Sequence, residues 1–89
     1  MLSKYLVEFF GTMFFLYVIL ATGNFLAIGA ALAIAIFLGG KISGGMFNPA
    51  VTVMMAAAGK LPMSEVIPYI VAQLVGGLAA LELYKRLKF

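Results

Sequence analysis

The sequence Gly39-Gly40-Lys41-Ile42-Ser43-Gly44-Gly45-Met46-Phe47-Asn48-Pro49-Ala50-Val51-Thr52 joins a glycine-rich approach to a helix start, and it decides how this chain folds. Asn48 is a good N-cap, and Pro49 suits the first helical position because it has no N–H to leave unsatisfied. Apolar residues then continue the helix until Gly59. A helix of about ten residues is roughly 15 Å long, which is half of a hydrocarbon core of about 30 Å.

The composition predicts an integral membrane protein with several spans. The chain has 89 residues, of which 65% are apolar and 10% charged, and its mean hydropathy is +1.17. A soluble domain of this size needs a polar surface that these residues do not supply. The net charge of +3 comes from basic residues at the edges of apolar runs, which indicates contact with lipid headgroups rather than with nucleic acid. The sequence leaves open which membrane hosts the chain.

Three apolar runs are predicted to cross the membrane, at Tyr5–Thr22, Phe25–Gly40 and Val66–Tyr84. The second run is short for a span unless Lys41 snorkels at its end. We predict a tight turn at Gly23-Asn24 and an N-cap for the last helix at Ser64. Together with the half-helix, the layout is an all-α membrane fold in a single domain over residues 1–89. Because the number of crossings is odd, we expect the two termini on opposite sides.

Polar and small residues inside the spans mark further features. Glu8 is a carboxylate in an apolar run, which makes it a functional candidate by default. The same residue interrupts what otherwise resembles a signal peptide, so we interpret the first run as an uncleaved helix. Small residues recur where membrane helices approach closely. They are Gly11, Gly29, Ala33, Gly76 and Gly77.

A half-length helix inside a bilayer is tolerated only where it is buried in protein or lines a water-filled cavity. We therefore expect the loop glycines to let backbone carbonyls turn toward a lumen, with the positive helix end and the Asn48 amide near the bilayer midplane. This arrangement suits a neutral polar solute and repels cations. The chain has no cysteine and no histidine, so we expect a passive channel with no metal, no cofactor and no enzymatic chemistry.

Three motifs, in this order, resemble the aquaporin (major intrinsic protein) family. They are Glu8-Phe9-Phe10-Gly11-Thr12, the segment 43–52 that contains Asn48-Pro49-Ala50 (NPA), and Pro68-Tyr69-Ile70-Val71-Ala72-Gln73 with Gly76. Only the first of the family's two inverted units is matched, so the chain resembles a single N-terminal half-repeat. The resemblance implies three transmembrane helices plus one re-entrant half-helix that carries NPA. It also implies a channel for water or small neutral solutes such as glycerol.

The resemblance assigns roles to residues of the NPA region. Asn48 would donate a hydrogen bond from its side-chain amide to the solute. Pro49 and Ala50 would stack one half-helix end against another. Glu8 would support the loop by accepting hydrogen bonds from its backbone. Carbonyls that line the pore would come from Ser43, Gly44, Gly45 and Met46. Met46 stands where the family's first unit usually has a histidine.

The narrowest part of the family's pore is a constriction built from aromatic residues and an arginine. Counted from Asn48, these positions fall on Ile28 of one copy and on Ile36, Gly45 and Val51 of the other. Val51 takes the place of the arginine. The resemblance therefore implies a wider, more apolar gate that favours small uncharged solutes.

One such unit cannot enclose a pore, but two antiparallel copies can. If the N-terminus is cytoplasmic, three basic residues lie on that side and three on the other, so the charges give almost no orientation bias. They are Lys4, Lys41 and Lys60, and then Lys85, Arg86 and Lys88. This balance predicts a dual-topology protein and an antiparallel homo-oligomer.

Three alternatives remain open at this stage. The chain is a fragment or one half of a split channel that needs a complementary half. It is a small proton-coupled transporter in which Glu8 is the coupling carboxylate. Or it is a non-conducting subunit that modulates a full-length channel.

Overall fold

A computed structural model describes residues 2–87, which form four α-helices. They are α1 (Leu2–Thr22), α2 (Phe25–Ser43), α3 (Pro49–Ala57) and α4 (Val66–Arg86). Three segments are long and apolar enough to cross a membrane: α1, α2, and α4 together with the 3₁₀ turn before it. The prediction of an all-α membrane fold with three spans is confirmed. Lys88, the last residue of the predicted basic cluster, lies outside the described residues.

Helix α1 is the centre of the bundle, because it packs against both α2 and α4, while α3 packs on α4. The close approach of α1 and α4 depends on two glycines. A Cβ added to Gly76 would lie 2.6 Å from the carbonyl oxygen of Phe9, and one added to Gly77 would lie 3.0 Å from a methyl carbon of Leu16. The two backbones are therefore nearly in contact at mid-helix.

Two of the predicted small-residue contacts do not occur within residues 2–87. No atom lies within 4 Å of the position that a Cβ on Gly29 would take, and Ala33 is exposed. Both residues lie on the face of α2 that points away from α1. Their spacing indicated a contact, but the spacing alone does not say which helix faces it.

Helix α2 is longer than predicted, because it continues through Gly40 and ends at Ser43. The glycine pair is accommodated since Gly39 lies against Val7, where an added Cβ would be 2.5 Å from a methyl carbon. The helix ends at Gly44, which has a φ of 92° and donates its N–H to the Gly40 carbonyl at 2.8 Å. Glycine adopts this left-handed conformation without the Cβ penalty.

The turn between α1 and α2 is confirmed. Gly23 has a φ of 56°, and the side chain of Asn24 accepts a hydrogen bond from the Ala27 N–H at 2.9 Å. This side chain caps the start of α2, so two residues suffice to reverse the chain.

The predicted N-cap at Ser64 is wrong. A 3₁₀ turn, Met63–Glu65, begins after Pro62, and α4 starts without a side-chain cap. Glu65 is engaged with α1 instead. Its carboxylate is 3.0 Å from the Lys4 ammonium and accepts a hydrogen bond from the Tyr5 hydroxyl at 2.6 Å. The connection between α3 and α4 is therefore fastened to the first turn of α1.

Candidate functional site

The segment between α2 and α3 turns the chain sharply within residues 44–48. Gly44, Gly45 and Phe47 all have left-handed backbone angles, with φ values of 92°, 67° and 52°. For Phe47, which carries a Cβ, this conformation costs about 1–2 kcal/mol. The ring of Phe47 is buried against Gly11 of α1, where an added Cβ would overlap it. Packing and hydrogen bonds from other helices therefore hold a loop that local preference disfavours.

Helix α3 begins as predicted, with Asn48 as N-cap and Pro49 in the first turn. The side-chain oxygen of Asn48 accepts a hydrogen bond from the Ala50 N–H at 2.8 Å. Asn48 is itself exposed. Because the cap uses only the oxygen, the –NH₂ end of the amide is left to donate to an outside acceptor.

The carboxylate of Glu8 binds the loop to α1. Glu8 is fully buried, and each of its oxygens accepts two hydrogen bonds. Oε2 accepts from the Ser43 hydroxyl at 2.7 Å and from the Met46 N–H at 3.1 Å. Oε1 accepts from the Phe47 N–H at 2.8 Å and from the Gln73 side-chain amide at 2.7 Å. Four donors satisfy this buried anion, and two of them are the loop's own backbone.

A chain of side-chain hydrogen bonds extends from Glu8 to the start of α3. Besides its bond to Glu8, Gln73 Nε2 donates to Thr52 Oγ1 at 2.7 Å, and Thr52 Oγ1 donates to the Asn48 carbonyl at 3.0 Å. From the sequence, Gln73 is placed in a motif without named partners, and Thr52 is given no role. The position of Thr52, four residues after Asn48, could have predicted this bond, because a threonine hydroxyl in a helix often donates to the carbonyl four residues earlier.

The start of α3 borders a groove that is also lined by residues from the middle of α1 and α4. Asn48 and Pro49 line the same groove as Thr12, the central residue of α1, and Gly77, which follows the central residue of α4. After the end of α3, Leu61 packs with Tyr69 and Tyr5 in a cluster that also contains Met46, from the loop before α3. Helix α3 has 9 residues, fewer than half of the 21 residues in each of α1 and α4.

The four predicted pore-lining carbonyls differ in their surroundings. The Ser43 carbonyl accepts a hydrogen bond from the buried Tyr69 hydroxyl at 2.7 Å, so this carbonyl is engaged within the protein. Met46 is 5% exposed, and its side chain packs in the cluster with Tyr69. Gly44 is exposed and Gly45 is half-buried. The two glycines are therefore the positions at which the loop backbone is accessible.

The predicted constriction residues do not meet at one point of a single chain. Ile36 and Gly45 lie together, since a Cβ on Gly45 would be 3.4 Å from Ile36 Cγ1. Val51 packs at the edge of the cluster around Met46. Ile28 precedes Ile36 by two helical turns, about 12 Å along α2. These positions stay a prediction, because the resemblance divides them between two copies.

Two grooves flank Phe47, one on each side of α1. The groove between α1 and α2 has a volume of about 480 Å³ and an apolar lining that includes Phe10, Phe14 and Leu38. The groove between α1 and α4 has a volume of about 530 Å³ and is bordered by the start of α3. Its wall carries three polar side chains, Thr12, Asn48 and Gln73, among apolar ones. We call it the α1/α4 groove.

The chain is similar to known membrane channels. Residues 1–88 match the Major intrinsic protein family. The glycerol uptake facilitator protein-like 6 of Lactiplantibacillus plantarum is 41% identical over 88 residues, which cover 89% of this chain and 41% of that protein. The aquaporin Z of Brucella melitensis is 40% identical over an alignment of 95 residues, with 90% of this chain and 42% of that protein covered.

A third relative aligns over a shorter segment. The aquaporin Z of Photorhabdus laumondii is 51% identical over 63 residues, which cover 70% of this chain and 27% of that protein. The chain spans about two fifths of the length of the first two relatives. Three spans and this similarity make it an integral membrane protein. The helices, the loop held by Glu8 and the matched residues lead to one conclusion: the chain belongs to the major intrinsic protein family.

Proposed function

We propose that this chain is half of a passive membrane channel for water and small uncharged solutes such as glycerol. The observation that carries the proposal is that the start of α3 lines one groove together with Thr12 of α1 and Gly77 of α4, with Asn48 exposed there. In a bilayer α3 is then a re-entrant half-helix, which requires protein or water around its start. The relatives named as aquaporins and glycerol facilitators support the same solute class.

The physical basis of selectivity lies at the start of α3. A helix N-terminus carries roughly half a positive charge, so two such ends near the midplane oppose cations while their donors hold a neutral oxygen. Gly44 and Gly45 offer accessible backbone on the approach. The constriction of Ile28, Ile36, Gly45 and Val51 has no arginine and is apolar, which favours glycerol alongside water.

We propose further that two antiparallel copies complete the pore. With the N-terminus on one side, Lys4, Lys41 and Lys60 face Lys85, Arg86 and Lys88 on the other, three against three. Such a balance gives the membrane-insertion machinery no preferred orientation.

We expect a single cysteine added at the C-terminus to be labelled by an impermeant thiol reagent from both sides of the membrane, in comparable amounts. The chain has no cysteine of its own, so the label reports this site alone. A variant with three added lysines beside Lys85 serves as the control that should adopt one orientation. If the single-cysteine chain without added lysines is labelled from one side only, dual topology is refuted. That result would favour a channel completed by a separate complementary half.

Asn48→Asp should reduce water and glycerol permeability about tenfold without unfolding the protein. Aspartate still caps the helix, but it lacks the donated N–H and adds a negative charge, and a lost hydrogen bond of about 1.4 kcal/mol corresponds to tenfold. Stopped-flow light scattering on proteoliposomes under water and glycerol gradients measures the rates. The melting temperature of both proteins checks the fold.

Background shrinkage rates for both the wild type and Asn48→Asp would remove the channel function. They would favour the non-conducting subunit as the second candidate. The transporter alternative is disfavoured by the surroundings of Glu8, which is fully buried with four donors around its oxygens. A coupling carboxylate needs a path by which its proton enters and leaves.

A further inference from the structure

Phe47 is the strained residue of the loop between α2 and α3. Among residues 2–87 it is the one residue other than glycine with a positive φ, at 52°. Such strain persists only where the surroundings over-determine the conformation, and it is concentrated at functional sites. The surroundings act on Phe47 twice, because its N–H donates to Glu8 at 2.8 Å and its ring is 2% exposed. Glu8 accounts for the backbone contact, and the buried ring is a second, separate attachment of the loop.

The ring of Phe47 fits between α1 and α2 at two glycines. A Cβ added to Gly11 would overlap the ring atoms Cδ1, Cε1 and Cζ, and one added to Gly39 would lie 3.5 Å from Cζ. The ring also borders both the groove between α1 and α2 and the α1/α4 groove. It therefore occupies space that exists because Gly11 has no side chain, and an interior packed this closely leaves it one position.

Asn48 follows Phe47 directly and is held on its other side by α3. Its carbonyl accepts hydrogen bonds from the Thr52 N–H and the Thr52 hydroxyl, each at 3.0 Å, and its side-chain oxygen accepts from the Ala50 N–H at 2.8 Å. All three bonds lie within residues 48–52. They fix Asn48 relative to α3, and they leave its place relative to α1 to the attachments of the preceding residue.

We propose that Phe47 is a positioning residue of the channel, whose ring sets the place from which the Asn48 amide donates to the solute. This inference rests on the channel function proposed above and names a residue that determines its rate. The ring acts through Asn48, because it is buried while Asn48 is exposed at the start of α3. Its seat at Gly11 transmits the position of α1 to the donor.

Phe47→Leu tests this role, because leucine stays apolar but lacks the ring atoms that fill the space at Gly11. Water and glycerol permeability should fall about three- to tenfold, tenfold being the loss expected when the Asn48 bond is removed outright. In the Asn48→Asp background the same substitution should change permeability by less than about twofold, since two residues that act through one contact are not additive. Stopped-flow shrinkage of proteoliposomes, normalised to the amount of protein, measures all four proteins.

Gly11→Ala displaces the ring without changing Phe47 itself. The methyl group takes the space of the ring, so permeability should fall by a similar factor. Combined with Phe47→Leu, the same methyl group fills space that the ring has vacated, and volume-conserving exchanges are the best tolerated in packed interiors. Permeability of the double variant should return to within about threefold of the wild type, above that of either single variant.

Two controls separate positioning from stability. Phe14→Leu makes the same chemical change one turn from Gly11, on a side chain that is 41% exposed, and should leave permeability unchanged. Ala31→Val overpacks a residue that is 3% exposed and about 18 Å along α2 from its end at Ser43. It should lower the melting temperature, as Phe47→Leu does, without lowering the permeability of the folded protein.

The cycle with Asn48→Asp distinguishes the possible failures. If Phe47→Leu lowers permeability by the same factor in both backgrounds, or leaves it at the wild-type value, the positioning role is overturned and the channel stands. Background rates for the wild type itself would overturn the channel function and this role together.

Discussion

Glu8→Gln should destabilise the protein by about 3 kcal/mol or more and bring its solute permeability to background, which is the largest effect we expect. Either orientation of the new amide places –NH₂ against a backbone N–H. On one side the opposing donor is Met46, and on the other it is Phe47. Without these bonds the loop is no longer held in its left-handed backbone conformation, which is unfavourable for Phe47. Denaturant unfolding in detergent and stopped-flow shrinkage of proteoliposomes measure the two effects.

Glu82→Gln is the matched control, because the same chemical change falls on a side chain that is 58% exposed and pairs only at the surface with Lys85 and Arg86. Its effect should stay within about 0.5 kcal/mol. A Glu8→Gln protein with wild-type stability and permeability would contradict the role of Glu8 in holding the loop. Preserved stability with loss of a proton-dependent flux would instead support the transporter.

Gly76→Ala should destabilise the protein by about 1–3 kcal/mol, the cost of overpacking a tight interior. The added methyl would lie 2.6 Å from the Phe9 carbonyl oxygen, which is backbone and has no rotamer by which to move aside. Helices α1 and α4 must therefore separate, and this separation weakens the bond between Glu8 and Gln73 one turn away. The melting temperature and the permeability should fall together.

The same substitution at Gly29 is the control for Gly76→Ala. No atom lies within 4 Å of the added methyl there, so only helix propensity changes, by about 0.5–1 kcal/mol in favour of alanine. Equal effects at Gly76 and Gly29 would show that the packing of α1 on α4 is looser than described. A loss of association in Gly29→Ala without a loss of stability would mark the outer face of α2 as a contact between copies.

Local signals predicted much of the fold. The cap at Asn48 with Pro49 after it, the turn at Gly23-Asn24 and three apolar runs each depend on residues close in sequence, and the structure confirms them. The end of α2 was missed because glycine ends a helix only when its φ becomes positive. Gly39 and Gly40 remain helical, Gly39 because α1 packs against it, and Gly44 is the residue that turns.

The contacts of the site were harder to predict, because they join residues far apart in the chain. A carboxylate in an apolar span marked Glu8 as functional, yet nothing local says that its partners are Ser43 and Gln73. Serine is a residue type that often caps helices, but Ser64 lies inside a 3₁₀ turn that begins after Pro62. Family resemblance supplied the loop contacts of Glu8, and it left the Thr52 relay and the buried ring of Phe47 to be found in three dimensions.

The hydrogen bonds that hold the loop between α2 and α3 have a consequence for biosynthesis. Residues 44–47 are fastened to Glu8, which the ribosome makes early, and through it to Gln73, which is made 25 residues after Asn48. At about 5–20 residues per second, the nascent chain waits roughly 1–5 s between the two. During that interval α1 and α2 form a hairpin. The loop that follows α2 can bind Glu8, but Gln73 has not yet been made. The loop is therefore fully anchored only when the last helix arrives, and not when the loop itself enters the membrane.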